Sequence, residues 1–216
     1  MRSQFESQLK DLNVKLLKMG AMVQEIIEVS VQALAKQDLE TAKTICVMDD
    51  EIDELELQIE NECMRLLALQ QPMAKDLRVI GTIMKIITDL ERMGDHAVNI
   101  AKVTLEIGNE PLIKPLIDIP RMARLSEKMV NKSLDSFMKA DIQLAEEVAH
   151  DDEAVDQIYE AIYTEIIEMM IEDPKVVKQA TNLLFVGRYL ERIADHATNI
   201  GERVIYMVTG ERIEIN

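Results

Sequence analysis

An eleven-residue segment occurs twice in this chain, one hundred residues apart. Leu90-Glu91-Arg92-Met93-Gly94-Asp95-His96-Ala97-Val98-Asn99-Ile100 returns as Leu190-Glu191-Arg192-Ile193-Ala194-Asp195-His196-Ala197-Thr198-Asn199-Ile200, with eight of eleven positions identical. A second correspondence, 103 residues apart, sets Leu34, Asp38, Ala42, Asp49 and Asp53 against Phe137, Asp141, Ala145, Asp152 and Asp156. Two matches this far apart in sequence imply that a whole supersecondary unit was duplicated, so the fold must be buildable as two copies of one unit.

The unit is helical. Apolar residues are 48% of the 216, but aromatics are only 3% and glycines number seven, which argues against sandwiches and barrels built on aromatic strands and glycine turns. Ile45, Met48, Ile52, Leu55 and Ile59 recur at the three- and four-residue intervals of one helix face. No proline precedes Pro72, and the rhythm shifts near Asp38, a residue suited to accept from the free N–H groups of a new helix. Two helices therefore precede Pro72. A third runs from about Met73 to Ile107, ended by Gly108-Asn109-Glu110-Pro111. Pro111, Pro115 and Pro120 mark a stiff linker, and three more helices are predicted near Arg121–Lys139, Asp141–Glu172 and Lys175–Thr209. The predicted fold is all-α, two tandem three-helix bundles over residues 1–108 and 121–216 joined by 109–120, with one or two cores.

Forty acids against 24 bases give a net charge of −16, which repels nucleic-acid phosphates and anionic lipids and predicts no nucleic-acid binding. Polar residues interrupt each apolar run before it reaches membrane-spanning length, and the first residues lack an apolar signal core, so a cytoplasmic location without membrane insertion is expected. Cys46 and Cys63 make no CxxC or zinc pattern and read as reduced, buried thiols. The 14 methionines fall mostly at helical spacing among Leu and Ile, where they fill core gaps. The chain has no GxSxG, Walker or dinucleotide fingerprint, and no catalytic residues are assigned.

Chemistry is concentrated in acids spaced four apart: Asp49 with Asp53 and Glu91 with Asp95, then Asp152 with Asp156 and Glu191 with Asp195. Like charges at this spacing oppose helix formation, so the repeated pairing calls for solvent or a cation. In an antiparallel hairpin turning at Pro72, Asp53 lies level with Glu91 and Asp49 with Asp95; one turning at Asp173-Pro174 levels Asp156 with Glu191 and Asp152 with Asp195. Each half thus places four carboxylates in two layers about 6 Å apart. Such oxygen donors suit Mg²⁺, Ca²⁺, Mn²⁺ or oxidised iron, one site per half; the competing reading is two solvated acidic faces. His96 and His196 follow the acids by one residue and turn about 100° away, and the Glu-x-x-His spacing of di-iron oxidases is missing from the repeated segment. Asn99 and Asn199 suit supporting or interhelical contacts. Arg92 and Arg192 suit an oxyanion less well than a surface ion pair, with Asp89 three residues before Arg92.

These features resemble the PhoU family, the phosphate-transport accessory proteins of bacterial phosphate signalling. The resemblance rests on Gln71-Pro72-Met73-Ala74-Lys75-Asp76-Leu77-Arg78, on both Leu-Glu-Arg-x-x-Asp-His-Ala-x-Asn-Ile segments and on the duplicated layout. It implies metal ions on the E(D)xxxD motifs, hence on Asp49, Asp53, Glu91, Asp95, Asp152, Asp156, Glu191 and Asp195, with iron favoured and Mg, Mn, Zn or Ca as alternatives. It also implies a non-enzymatic adaptor whose partners are the ATPase subunit of a phosphate ABC transporter and a sensor histidine kinase; a homodimer is the base-rate expectation for oligomeric state. Negative regulation of phosphate uptake and of the starvation response follows from the same resemblance, as does a position peripheral to the inner membrane through those partners. A metal store or metalloenzyme, and a metal-free helical scaffold, are the competing functions. The second half departs at Glu172-Asp173-Pro174-Lys175, which replaces the Gln-Pro signature, and at Tyr189, which replaces Asp89, so the two sites are expected to differ in nuclearity or affinity.

Overall fold

A computed structural model describes residues 2–70 and 72–215. Gln71, which opens the signature at the first hairpin, lies outside the described residues. Among the described residues six α-helices follow in order: α1 (Arg2–Lys36), α2 (Leu39–Gln70), α3 (Ala74–Ile107), α4 (Asp118–Lys139), α5 (Ile142–Glu172) and α6 (Val177–Thr209), with a 3₁₀ turn at Pro174–Val176 before the last.

The first two helices of each half are joined by the same device. Gln37 and Ala140, 103 residues apart, both take the left-handed conformation, at φ 52° and 51°. The following N–H groups close back onto the preceding helix, Asp38 to the Ala33 carbonyl and Asp141 to that of Ser136, each at 2.9 Å. Each aspartate then caps the next helix: Asp38 accepts from the Thr41 N–H at 3.0 Å and Asp141 from the Leu144 N–H at 3.1 Å. The second connection differs between halves. Residues 108–117 are fastened by Gln37, whose amide donates to the Gly108 and Glu110 carbonyls, and by Gln179, which donates to the Pro111 carbonyl and accepts from the Ile113 N–H.

Two helix starts move from their sequence-based positions. α4 begins at Asp118, three residues early, and takes Pro120 into its first turn. Proline is tolerated there because the first turn has no intrahelical partner for the N–H it lacks. The chain after Asp173 first makes the 3₁₀ turn, with Asp173 accepting from the Lys175 N–H at 3.0 Å, and becomes α-helical at Val177.

Each half is an antiparallel three-helix bundle, and the two lie side by side, α3 against α6 and α1 against α4. Their interiors merge into one continuous core rather than two. Ile52, Ile86 and Leu90 in the first half and Val155, Val186 and Leu190 in the second are fully enclosed. Truncating Ile52 to Ala would cost roughly 2–5 kcal/mol, the range for a buried aliphatic side chain. Gly20 on α1 lets α4 come close, since a Cβ there would collide with Leu134. Cys63 is buried, but Cys46 is exposed, contrary to its sequence-based placement: it lies one residue beyond Ile45, which takes the core-facing position.

The α3–α6 seam carries an ion cluster between the halves. Asp89, only 4% exposed, accepts from Arg203 Nε at 2.6 Å and lies 3.1 Å from His196 Nδ1. The i−3 pairing of Asp89 with Arg92 therefore does not form; Arg92 pairs with Asp95 at 3.1 Å and Glu91 at 3.4 Å. On the pseudo-equivalent side Tyr189 replaces Asp89 and stacks on His96, with centroids 5.8 Å apart, and Val103 stands where Arg203 would be. Burial, with the facing His196, pushes the His96 imidazole down to about 4 and leaves it neutral.

Candidate metal centres

In the first half three of the acids lie beside the seam between the second and third helices because each follows an apolar residue that packs into it. Asp49 follows Met48, Asp53 follows the buried Ile52, and Glu91 follows the buried Leu90. The inner acids are the more enclosed: Asp49 is half-buried and Asp152 buried, whereas Asp53 and Asp156 are exposed at the solvent side. Asp49 packs so closely on α3 that a Cβ at Gly94 would lie 2.5 Å from its Oδ1. Alanine occupies the matching position, 194, in the second half.

Within each set the acids act on one another's ionisation. Burial, then the charges of Asp53, Asp95 and Glu91, push Asp49 up to about 6. Burial, then Asp156, Asp195 and Glu191, push Asp152 up to about 7. Asp53, Glu91, Glu191 and Asp195 are also raised, in each case chiefly by burial. All eight sequence-derived residues thus occupy two clusters of four, each spanning two helices. Among the described residues, however, no three His, Cys, Asp or Glu side chains are drawn together as a ready-made coordination shell.

The donor set nevertheless fits a hard cation. Asp49 Oδ1, Asp152 Oδ1 and Glu191 Oε2 are buried without any hydrogen-bond partner. An unpaired buried carboxylate oxygen costs several times an ordinary hydrogen bond, and a divalent or trivalent ion would satisfy it. Neither His96 nor His196 belongs to the set, since both are engaged at the seam between halves.

Several neighbours of the clusters were not evident from the E(D)xxxD spacing. Glu56, three residues beyond Asp53, accepts from the Thr88 hydroxyl at 3.3 Å and adds negative charge beside Glu91. The 103-residue correspondence puts Tyr159 in its place in the second half, packed over Gly187. There Arg188 replaces Thr88 and pairs with Glu191, and Lys132 bridges Asp151 at 2.6 Å and Glu147 at 3.3 Å. Arg192 reaches Asp195 at 3.7 Å, so both arginines of the repeated segments are paired with cluster acids rather than set out to receive an oxyanion.

Two fused three-helix bundles, each with a carboxylate cluster on its second and third helices, define a duplicated acidic helical protein with no catalytic constellation in its sequence. The chain belongs to the PhoU family: a model for the PhoU domain matches residues 16–104 and again 119–204. It is 43% identical over 216 residues to the phosphate-specific transport system accessory protein PhoU homolog of Clostridium acetobutylicum, covering 100% of this chain and 99% of that one. The crystal structure of PhoU from Pseudomonas aeruginosa superimposes with a TM-score of 0.90 at 37% identity, over 96% of this chain and 100% of the other. That of the phosphate transport system regulatory protein PhoU from Streptococcus pneumoniae gives 0.89 at 36% identity, over 97% and 99%. No helix among the described residues is long and apolar enough to cross a membrane.

Proposed function

We propose that this protein regulates phosphate transport by docking, as a cytosolic adaptor between the ATPase subunit of a phosphate ABC transporter and a sensor histidine kinase. In that role it restrains uptake and the starvation response when phosphate is plentiful. The observation that carries the reading is end-to-end similarity, through both repeats, to proteins named as accessory or regulatory components of phosphate transport. The net charge of −16 is compatible with electrostatically steered docking.

Each cluster is proposed to seat a metal ion, iron by preference and Mg, Mn, Zn or Ca as alternatives. Asp49, Asp53, Glu91 and Asp95 would hold the first, and Asp152, Asp156, Glu191 and Asp195 the second. The ion supplies positive charge where the chain has concentrated negative charge, and it ties α2 to α3 and α5 to α6. Immobilised protein exposed to detergent-solubilised membranes of the source organism, with and without EDTA, tests the reading. Recovery of the transporter ATPase or a sensor kinase supports the adaptor, and its loss in EDTA makes metal part of docking. Retention of neither by well-folded protein would instead favour metal storage or a metalloenzyme.

A further inference from the structure

A groove of about 760 Å³ runs between the start of α3, the end of α6 and residues 211–214. In a chain of net charge −16, four cations line it: Arg78 and Lys85 from α3, Arg203 from α6 and Arg212 from the terminal segment. Arg78 Nε donates to the Met207 carbonyl at 3.1 Å, which fixes the guanidinium plane at the end of α6 and leaves its terminal nitrogens free. Lys85 is exposed and has no acid within pairing distance among the described residues. Arg212 lies 5.9 Å over the Tyr206 ring. Arg203 is held by Asp89, so the unspent positive charge comes from the other three.

The groove's acids offset this only in part. Glu202 accepts from the Ile215 N–H at 3.1 Å and so pins the terminal segment that forms one wall, while Glu214 is exposed on that segment. Leu77, Tyr206 and Ile213 add apolar and aromatic surface. The duplicated half serves as an internal comparison: Phe185 stands where Lys85 does, and Val103 where Arg203 does. On that side Phe185, Tyr189 and His96 stack on one another, and of the groove's four cations only Arg78 has a basic counterpart, Lys178. The basic groove is therefore particular to one side of a pseudo-symmetric molecule and does not follow from the repeat.

We propose that this groove binds a phosphorylated small molecule with more than one phosphoryl group and an apolar or aromatic body, such as a nucleoside polyphosphate. Free guanidinium and ammonium groups recognise phosphoryl oxygens, and the paired aromatic and aliphatic surface accepts a base. The volume falls within the range of pockets for drug-sized ligands and exceeds what a single orthophosphate fills. The site is separate from the carboxylate clusters and stands without them.

Equilibrium dialysis in EDTA, which keeps cations off the acidic clusters, tests this with ATP, pyrophosphate, orthophosphate and adenosine. The expected result is saturable binding of ATP, weaker binding of pyrophosphate, and none of adenosine. The double variant Lys85→Glu, Arg212→Glu, confined to exposed side chains, should weaken ATP binding about tenfold or more while leaving the far-UV circular dichroism and melting temperature intact. Failure of ATP to bind, binding that survives the double variant, or saturation by orthophosphate with exclusion of ATP would each overturn the proposal.

Discussion

Around Asp49, Asp53, Glu91 and Asp95 the first repeat adds further acid, Glu56, and the cation that reaches the cluster is Arg92. Around Asp152, Asp156, Glu191 and Asp195 the second repeat has Tyr159 in place of Glu56, and two arginines, Arg188 and Arg192, oppose the rise that burial imposes on Glu191 and Asp195. The backbone plan is shared, but the charge balance is not. The first cluster has one arginine to offset its acids and the second has two, so more of the first cluster's negative charge is left uncompensated by its own side chains. The inner acids sharpen the contrast: Asp152 is the more buried and the more strongly raised, so at neutral pH a cation must displace its proton. Under the proposed metal reading, the first cluster is therefore expected to bind the more tightly of the two.

The largest expected effect comes from removing donors. Asp49→Asn with Glu91→Gln should abolish the tighter class of metal binding in calorimetric titration and lower the metal-loaded melting temperature by about 5 °C, while Asp152→Asn with Glu191→Gln should remove only the weaker class. Equal losses from the two pairs would break the comparison. In the metal-free protein both pairs should leave stability unchanged or raise it, because each removes charge from a crowded seam.

Next in size is the pH dependence of the stripped protein. Folded Asp49 and Asp152 hold protons to about 6 and 7, whereas the unfolded chain releases them near pH 4, so the folded state binds more protons across that interval. Stability should then fall as pH rises from about 4 to about 7 and level off above that, with a melting temperature a few degrees higher at the acid end. Glu127 on α4 contributes in the same direction, since burial and the facing Glu28 push it up to about 7; Glu127→Gln isolates its share. Saturating metal should flatten or invert the slope, and differential scanning fluorimetry across this range reads the change.

Exchanging neighbours tests the comparison more finely. Arg188→Thr gives the second cluster the first one's residue and should strengthen its metal binding roughly threefold, the scale of a partly exposed ion pair. The smallest effect is expected from Gly94→Ala, which gives the first cluster the second one's residue. It crowds Asp49 Oδ1, a movable side-chain end, so metal affinity should change about twofold with little loss of stability.

Much of this architecture was legible in the sequence because it is written in local patterns. The 3.6-residue rhythm around Ile52 and Leu90, the aspartates at 38 and 141, and the breakers after Ile107 each act on their own stretch of chain. The level placement of the acids followed from one further assumption, an antiparallel hairpin at Pro72. What was missed lies between elements. Helical spacing assigns Asp89 to Arg92, yet burial against α6 delivers it to Arg203 and His196, a partnership visible only once the halves pack. Pro120 signalled a linker because its tolerance in a first helical turn depends on where the helix begins. Glu56 against Tyr159 and Thr88 against Arg188 were available in the repeat alignment, but their importance required knowing which faces meet.

The most direct test of the metal account is anomalous diffraction from crystals of the full chain grown with iron, recorded on both sides of the iron absorption edge. The account predicts edge-dependent density within coordination distance of Asp49, Asp53, Glu91 and Asp95, and weaker density beside Asp152, Asp156, Glu191 and Asp195. Iron-saturated crystals without such density at either cluster, the acids facing ordered water instead, would contradict it.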